Sequence, residues 1–352
     1  MNAREDPVLP RRWIYDLEPE SLDQSLASMG MPAYAANQVR GWLYRNREAD
    51  IDKWTNISLD FRRRLAAEFS TALPEVRRES QDESGTRKVL LELHDGEKVE
   101  AVWIPVPGRT TLCVSTQVGC PVGCVFCATG SMGFRRNLSV GEIVAQVLVL
   151  LKFQADPRER VNIVFMGMGE PLLNPRATYA ALAVLTGDPG MNIPPGHITL
   201  STIGLLKPLE ELESRFPGIK ISLSLHAADS ETREHLMPAA ASRHSVDELL
   251  AYFARPRRHP VTFEYVLIRG VNTSLAHARR LAGRLRSIPG KVNLIPFNPV
   301  PGCEFSAPPA REEEAFLKVL VDAGLAVTIR RSRGGSIQSA CGQLAVTSGV
   351  KS

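Results

Sequence analysis

Apolar residues recur at helical spacing in the first part of the chain. Two stretches, Ala35–Arg45 and Leu59–Phe69, place apolar residues every three or four positions, which predicts two amphipathic helices. The second stretch contains three consecutive arginines, Arg62 to Arg64, so its polar face is basic. Such a face is either solvated or in contact with nucleic acid. We expect residues 1–84 to form a small helical accessory domain.

Alternation with a period of two replaces the helical pattern after residue 85. Lys88–Leu93 and Val99–Pro105 alternate between apolar and polar positions, and the stretch between them, His94–Glu97, contains the turn residues Asp and Gly. Two such runs joined by a short turn predict an antiparallel hairpin. We therefore expect a β-hairpin extension over residues 85–110.

Short apolar runs alternate with amphipathic ones from residue 111 onward. The strand candidates are Leu112–Thr116, Val161–Met166, His197–Ser201, Lys220–Leu225, Thr262–Leu267, Lys291–Ile295 and Ala326–Arg330. The helix candidates are a helix that begins at Ser139 with a capping box to Glu142, then Arg176–Leu185, Leu206–Arg215, Val246–Phe253, Ala276–Ser287 and Arg311–Ala323. Repeated β–α units form parallel sheets, so we expect an α/β fold over residues 111–345, a closed or partly closed barrel with its chemistry at the C-terminal ends of the strands. Residues 346–352 are expected to form a tail.

The composition excludes disorder, collagen and coiled coil as the main architecture. Hydrophobic residues make up 44% of the 352 residues, and 42 Lys and Arg against 38 Asp and Glu give a formal net charge of +4. A positive charge excess this small is compatible with a nucleic-acid partner but does not by itself indicate one. The longest apolar run, Ile143–Leu151, is about half the length of a membrane-spanning helix. We expect a cytoplasmic protein without membrane contact, whose thiols stay reduced.

The cysteines are crowded at one place. Four of the six lie between Cys113 and Cys127, and three of these form a Cys120-x₃-Cys124-x₂-Cys127 motif directly after the first strand of the β–α series. Three thiolates on one short loop can hold three corners of a cubane 4Fe–4S cluster and leave the fourth iron without a protein ligand. Structural zinc is the alternative, but zinc takes four ligands, and no fourth Cys or His lies nearby in the sequence.

This motif resembles that of the radical S-adenosylmethionine (SAM) superfamily, whose members bind the methionine end of SAM at the open iron. The resemblance implies that the sheet is a partial (βα)₆ barrel. It also implies that Gly169 and Glu170, in the Gly167-Met-Gly-Glu-Pro171 run after the second strand, bind the methionine end. The further SAM-binding residues that it implies are Ser201, Ser224, Leu225, His226 and Asn298, near the C-terminal ends of later strands.

Longer motifs narrow the resemblance to one family, the RlmN-type RNA adenine-C2 methyltransferases, with the Cfr-type adenine-C8 enzymes as close relatives. The motifs are Cys113-Val-Ser-Thr-Gln-Val-Gly-Cys120, Phe126-Cys-Ala-Thr-Gly130, Gly133-Phe-Arg-Arg-Asn-Leu138, Val164-Phe-Met-Gly-Met-Gly-Glu-Pro171, Ser222-Leu-Ser-Leu-His226, Asn293-Leu-Ile-Pro-Phe-Asn-Pro299 and Ala340-Cys-Gly-Gln-Leu344. The resemblance extends from the N-terminal helices almost to the C-terminus. It implies that the N-terminal domain binds RNA.

The family's chemistry needs two further cysteines. Carbons 2 and 8 of adenine are electron-poor and cannot attack a sulfonium methyl group. The resemblance implies that Cys341 is first methylated by one SAM and that a second SAM supplies the radical that activates the methyl group. It also implies that Cys113 is the resolving thiol, in a transient disulfide with Cys341, and that Glu100 is the proton acceptor. Cys303 matches no motif, and we expect it to be structural.

The substrate implied by the resemblance is adenosine 2503 of 23S ribosomal RNA, with adenosine 37 of transfer RNA as a further candidate. The same resemblance implies a reductase or flavodoxin-type electron donor and a monomer. The alternatives are C8 methylation, another RNA target, and a non-catalytic metal-bearing RNA-binding protein. Ser336 stands where the family usually has an acidic residue, a departure that bears on the RNA target more than on the reaction class. The clustered arginines that could contact RNA are Arg135–Arg136, Arg255 with Arg257–Arg258, Arg279–Arg280 with Arg284 and Arg286, and Arg330–Arg331 with Arg333, the last being the best candidate.

Overall fold

The computed structural model describes residues 11–156, 158–331 and 334–346, so the expected tail beyond residue 346 and Arg333 lie outside the described residues. The N-terminal part is helical. Its elements are β1 (Arg12–Trp13), α1 (Pro19–Ser28), α2 (Ala33–Arg40), α3 (Leu59–Glu68) and β2 (Phe69–Ser70), and β1 pairs with β2 in parallel. The sequence pattern predicts one helix over Ala35–Arg45. In the structure α2 ends at Arg40, and a turn of π-helix, Gly41–Arg45, follows it. The hydroxyl of Ser58 caps α3 by accepting a hydrogen bond from the backbone of Phe61 at 3.3 Å.

Ten strands form the main sheet. In chain order they are β3 (Glu75–Gln81), β4 (Arg87–Glu92), β5 (Lys98–Val106), β6 (Arg109–Cys113), β9 (Arg160–Phe165), β10 (Ile198–Thr202), β11 (Lys220–Ser224), β12 (Val261–Leu267), β13 (Gly290–Pro296) and β14 (Ala326–Ile329). Across the sheet the order is β14-β13-β12-β11-β10-β9-β6-β5-β4-β3. The strands from β6 to β14 are parallel, and β3 to β5 extend the sheet with antiparallel pairing. The separate ribbon of β7 (Gln117–Gly119) and β8 (Phe134–Asn137) flanks the short helix α4 (Ala128–Ser131).

Helices connect the parallel strands. They are α5 (Val140–Leu150), α6 (Pro175–Thr186), α7 (Leu206–Arg215), α8 (Ser230–Leu236), α9 (Pro238–Ala241), α10 (Val246–Phe253), α11 (Leu275–Leu285) and α12 (Ala310–Asp322). The predicted capping box of α5 is present, because Ser139 and Glu142 each accept from the other's backbone nitrogen. This order of strands and helices confirms the predicted α/β fold with repeated parallel units.

The hairpin extension has a third strand that the sequence pattern did not predict. Strand β3 is almost entirely exposed and rich in charge, so it shows no apolar alternation, and its pairing with β4 holds it in place. Among the described residues, no helix is long and apolar enough to cross a membrane.

The N-terminal helical part packs on helix α5 of the barrel. The backbone nitrogen of Gly141 donates to Asp16 at 3.1 Å, and a Cβ at position 141 would lie 2.7 Å from the ring of Trp13. Only glycine permits this approach, and the contact joins the two hydrophobic cores into one.

Candidate active site

One cavity at the C-terminal ends of the parallel strands brings together most of the predicted site residues. Its lining includes the three motif cysteines, Cys120, Cys124 and Cys127, and also Gly169, Glu170, Ser201, Ser224, His226, Asn298 and Cys341. Residues that are far apart in the sequence meet here because parallel strands direct their C-terminal ends to the same edge of the sheet. Among the predicted SAM-binding residues, only Leu225 does not line the cavity: its side chain is fully buried, and its backbone nitrogen donates to the carbonyl of Glu264 at 3.1 Å.

The motif cysteines lie on the loop between β7 and α4. A Cβ at Gly130 would lie 2.7 Å from the carbonyl oxygen of Cys124, so glycine is needed there for the loop to close tightly. Burial raises the pKa of all three thiols, to about 12 for Cys120, and their mutual repulsion adds to the rise. Three thiols held this way are deprotonated by a metal that binds them, because a soft metal cation compensates the buried negative charge.

The chemistry of these residues fits an iron–sulfur cluster. In residues 11–156, 158–331 and 334–346, no three His, Cys, Asp or Glu side chains converge closely enough to hold one metal ion. The thiols instead line the cavity wall separately, as ligands of different irons in a cluster do. A buried cation also lies beside them: Cys124 and Glu170 are the charged neighbours of Arg233.

Arg233 joins the ends of two strands, β10 and β11, and was missed by the sequence analysis. Its guanidinium is 1% exposed and donates hydrogen bonds to the backbone carbonyls of Ile203, Ser224 and Leu225 at 2.7 to 2.9 Å. Burial lowers its pKa to about 10. An arginine on a short charged helix resembles a surface residue in sequence, and only the tertiary contacts reveal its role.

Glu170 follows β9 and is buried in the wall of the cavity. Its carboxylate accepts from the hydroxyl of Thr202 at 2.7 Å and from the backbone nitrogens of Ile203 and Leu172 at 2.9 and 3.1 Å. Burial raises its pKa to about 7, and these hydrogen bonds act against the rise. A cation such as the SAM ammonium would favour the ionised carboxylate further. The tight turn before it uses Gly169, whose φ of +97° is in the left-handed region.

His226 is neutral and fixed in orientation. Its Nδ1 accepts a hydrogen bond from the backbone nitrogen of Val266 at 3.1 Å, which leaves the proton on Nε2. Burial lowers its pKa to about 3, and the charge of Arg233 contributes. The ring lies edge-on to Phe126, with 5.0 Å between centroids. This side chain can therefore donate one hydrogen bond from Nε2 but cannot act as a cation at neutral pH.

Cys341 lies on a C-terminal segment, residues 334–346, that is tied by three hydrogen bonds to two separate parts of the barrel. Asn298 donates to the carbonyl of Cys341 at 3.0 Å, and Gln343 donates to the carbonyl of Pro299 at 2.8 Å. On the cluster side, the backbone nitrogen of Ala128 donates to the carbonyl of Gly342 at 2.7 Å. These bonds hold Cys341 at the wall of the cavity beside the cysteine motif.

Cys113 meets Cys341 in a second cleft. The two cysteines line that cleft together with Met166 and Arg330, and all six cysteines of the chain are free thiols. Burial raises the pKa of the Cys113 thiol to about 12, the negative charge of Cys341 adds to this, and the charge of Arg330 opposes it. The disulfide implied by the resemblance is transient, and in this structure the two cysteines are free thiols that line the same cleft.

Glu100 lies outside the cavity that holds the cysteine motif. It is 5% exposed and lines a neighbouring polar cavity. Lys88 approaches one of its carboxylate oxygens at 2.8 Å, and the backbone nitrogen of Ala345 donates to the other at 3.0 Å. Burial raises the pKa of this carboxyl, and Lys88 opposes the rise. Glu100 and Cys113 share a face of the sheet, because Val102, two residues from Glu100, pairs directly with Cys113.

Arg330 and Glu264 are further site residues that the sequence analysis did not predict in these positions. The expectation for Arg330 was an RNA contact at the surface, but its guanidinium lies in both cavities, with Cys341, Glu264 and Cys113 as its charged neighbours. Glu264 accepts from the hydroxyl of Ser222 at 2.5 Å and from Asn293 at 2.7 Å. The local sequence pattern around a buried charged residue of this kind does not differ from the pattern around a solvated one.

Most of the other clustered arginines form surface ion pairs. Those with a carboxylate partner among the described residues are Arg135, Arg136, Arg255, Arg257, Arg280, Arg284 and Arg331. Of these, Arg257 is mostly buried, and the others are more exposed. Surface pairs of this type contribute little to stability. Cys303 approaches the carbonyl of Val125, in the cluster loop, at 3.7 Å.

Comparisons with known proteins agree with this site. Residues 114–282 match the radical SAM superfamily, and residues 13–70 match the ribosomal RNA large subunit methyltransferase N-terminal domain. A dual-specificity RNA methyltransferase RlmN from Halorhodospira halophila is 44% identical over 90% of this chain and 89% of its own length. Another, from Anaeromyxobacter sp., is 41% identical over 99% of this chain and 95% of its own. A crystal structure of a radical SAM methyltransferase from Sphaerobacter thermophilus superposes with a TM-score of 0.89 at 41% identity, covering 95% of this chain and 99% of that one.

Proposed function

Because the chain belongs to the RlmN family of radical SAM RNA methyltransferases, we propose that it methylates carbon 2 of an adenosine in RNA. Its cofactors are a 4Fe–4S cluster and SAM, and two SAM molecules are consumed for each methyl group. The proposed targets are adenosine 2503 of 23S ribosomal RNA and adenosine 37 of transfer RNA. Membership of this family makes the chain an enzyme, so the alternative of a non-catalytic RNA-binding protein is set aside.

The observation that carries the proposal is the position of Cys341. It is the one cysteine of the described chain that lines both the cavity with the cysteine motif and the cleft with Cys113. A methyl carrier must receive its carbon at a SAM site and then be resolved by a second thiol, so it has to face both. The C-terminal segment supports this role because its hydrogen bonds to Asn298 and Ala128 hold Cys341 between the two spaces.

The residues that would hold the cofactors line the first cavity. Cys120, Cys124 and Cys127 would bind the cluster, while Glu170 would accept from the SAM ammonium and the Nε2–H of His226 would donate to SAM. When bound, the cluster supplies the electron, taken from a flavodoxin-type donor, that turns the second SAM into a source of a hydrogen-abstracting radical. The buried charge of Arg233 offsets part of the negative charge of the thiolates.

Cys341 carries the one-carbon unit from SAM to RNA. Its thiolate attacks the methyl carbon of the first SAM, S-adenosylhomocysteine leaves, and Cys341 becomes S-methylcysteine. The S-methyl group then loses one hydrogen atom, and its carbon adds to carbon 2 of adenine, so that a thioether joins Cys341 to the RNA. The adduct radical gives up one electron, which would return to the oxidised cluster, and Glu100 accepts the proton from carbon 2.

Release requires Cys113. Its thiolate attacks the sulfur of Cys341, a disulfide forms, and the electron pair of the sulfur–carbon bond remains with the carbon, which takes up a proton to become the methyl group. The two thiols share one cleft, which supports this step. An external thiol then reduces the disulfide. The adenosine must be unstacked throughout, since carbon 2 is not reachable inside a helix.

The test is the product. The holoenzyme, prepared without oxygen, is incubated with SAM, a reductant and a ribosomal RNA fragment, and the digested RNA is analysed by mass spectrometry against 2-methyl- and 8-methyladenosine standards. We expect 2-methyladenosine only, and none from Cys341→Ala, whereas Cys303→Ala should match the wild type. A product of 8-methyladenosine would replace C2 with C8 chemistry, and an unmodified RNA would contradict the proposed activity.

A further inference from the structure

A second polar cavity lies between the antiparallel strands and the segment that carries Cys341. Its floor consists of side chains from β3, β4 and β5, and its wall consists of residues 336–338 and 345–346. The floor residues are Arg78, Ser80, Lys88, Leu90 and Glu100. The cavity therefore adjoins both Glu100 and the carrier segment, although neither the cluster motif nor the SAM-binding residues line it.

A β-bulge directs Arg78 into this cavity. In the pairing of β3 with β4, Val76 lies opposite Leu91 but Arg78 lies opposite Leu90, so Arg77 is an extra residue. Leu90 in turn lies opposite Glu100, and residues directly opposite each other share a face, so Arg78 joins the face of Glu100. Bulges next to active sites commonly redirect a side chain in this way.

The two neighbouring arginines have different partners. Arg77 forms ion pairs with Glu75 and Glu92, both at 2.7 Å. Arg78 makes no ion pair or hydrogen bond with any residue in the described ranges, and the hydroxyls of Ser80 and Ser336 make none there either. Among the described residues, the guanidinium in this cavity therefore has no hydrogen-bond or ion-pair partner, and the two hydroxyl groups have no hydrogen-bond partner.

The remaining charges leave the cavity electropositive. Lys88 donates to Glu100 at 2.8 Å and to the carbonyl of Gln338 at 3.1 Å, and a third N–H is left. Both oxygens of Glu100 are engaged, one by Lys88 and the other by the backbone of Ala345. Two cations therefore face one carboxylate that is already satisfied.

We propose that this cavity binds a phosphodiester group of the substrate RNA, next to the target adenosine, with Arg78 as its principal ligand. The proposal rests on the proposed RNA methyltransferase function. A guanidinium and hydroxyl groups are the donors that hold phosphate oxygens. An adenine presented to Cys341 brings its flanking phosphates with it, because they are covalently attached within one nucleotide. The cavity shares the segment around Cys341, so such a phosphate lies within reach.

The experiment compares two arginines that are adjacent in the chain. Binding of a ribosomal RNA fragment to the holoenzyme is measured at several KCl concentrations for the wild type, Arg78→Ala, Arg78→Lys and Arg77→Ala. For Arg78→Ala we expect affinity to fall roughly tenfold at low salt and the slope of log K against log[KCl] to shrink by about 0.7 to 0.9, the value of one phosphate contact. Arg78→Lys should keep the slope, and Arg77→Ala should match the wild type.

The outcomes separate this inference from the function on which it rests. If Arg78→Ala and Arg77→Ala bind RNA with the same affinity and salt slope, the phosphodiester site is wrong while the methyltransferase function stands. Competition by inorganic phosphate is measured in parallel, and an effect of Arg78→Ala on phosphate alone would also overturn the RNA assignment. If the wild type binds no RNA, both proposals fail. Circular dichroism of each variant checks that the exposed strand β3 remains folded.

Discussion

The backbone nitrogen of Ala345 donates a 3.0 Å hydrogen bond to the carboxylate of Glu100. Ala345 follows Cys341 by four residues, so the proposed proton acceptor is attached to the segment that carries the proposed methyl carrier. Lys88 also connects Glu100 to this segment, because its ammonium group contacts Glu100 and donates to the carbonyl of Gln338. A displacement of this segment would therefore disturb the acceptor and the carrier together.

Replacement of Lys88 should alter the pH dependence of methylation. Glu100 must be ionised to accept a proton, burial raises its pKa, and Lys88 holds it down. In Lys88→Met the pKa rises further, so activity is lost at a higher pH as the solution is acidified, with a shift of about one pH unit. Single-turnover methylation measured from pH 5 to 9 tests this. Lys98→Met, which removes the exposed partner of Glu92, is the control, and an acid limb shared by both variants would contradict the role of Glu100.

Removal of the resolving thiol should trap the RNA on the enzyme. In Cys113→Ala the carbon–sulfur bond to Cys341 still forms, but no thiol can attack the sulfur. We expect a covalent enzyme–RNA adduct that survives denaturing gel electrophoresis and accumulates to about one per enzyme. Cys303→Ala, which changes a cysteine outside both cavities, should give none. A Cys113→Ala enzyme that turns over repeatedly would remove Cys113 from the mechanism.

The sequence predicted the elements and the ligands that are carried by local patterns. Cys120, Cys124 and Cys127 could be proposed as cluster ligands because a cluster loop supplies its ligands within a few positions of one another. The strands of the parallel part could be identified because burial on both faces makes them continuous apolar runs. Strand β3 could not, since it is polar along its whole length and is defined by its partner β4.

Buried charges were missed for a different reason. Arg233 and Arg330 occur in stretches with other charged residues, which is typical of solvated surfaces, and their partners come from strands distant in the sequence. Lys88 is an intermediate case. In the hairpin, Lys88 lies opposite Val102 and Leu90 lies opposite Glu100, so the side chains of Lys88 and Glu100 share a face of the sheet. The alternating pattern predicts the two strands, but it does not give this register.

Loss of Arg233 should destabilise the barrel itself. The side chain is 1% exposed, and its removal leaves the carbonyls of Ile203, Ser224 and Leu225 without donors. We expect Arg233→Met to lower the free energy of unfolding by roughly 3 to 5 kcal/mol. Arg280→Met, which breaks an exposed ion pair with Asp229, should cost less than about 1 kcal/mol. Urea unfolding of both variants measures the difference, and equal stability would show that the three carbonyls find other donors.

Loss of one motif cysteine should remove the cluster. In Cys124→Ala only two of the three thiols remain, so we expect anaerobically purified protein to contain little iron and sulfide and to make no methylated RNA. Cys303→Ser should retain both elements in full. Zinc in the wild type, without iron or sulfide, would support the alternative metal site instead. Elemental analysis and sulfide determination on the same samples decide between them.

Replacement of Arg330 should slow the attack of the Cys113 thiolate on Cys341, and raising the pH should restore the rate. Burial raises the pKa of the Cys113 thiol to about 12, and the positive charge of Arg330 opposes that rise. In Arg330→Met the pKa rises further, so a smaller fraction of Cys113 is thiolate at any pH, and release of RNA from Cys341 slows by roughly tenfold. The release rate should recover as the pH is raised, whereas it would not in Cys113→Ala. Arg331→Met is the matched control, because Arg331 is exposed and lies 3.6 Å from Glu313. Adduct decay followed by gel electrophoresis from pH 7 to 10 gives the rates, and a decay that is slow at every pH would show that Arg330 positions the cleft and does not tune the thiol.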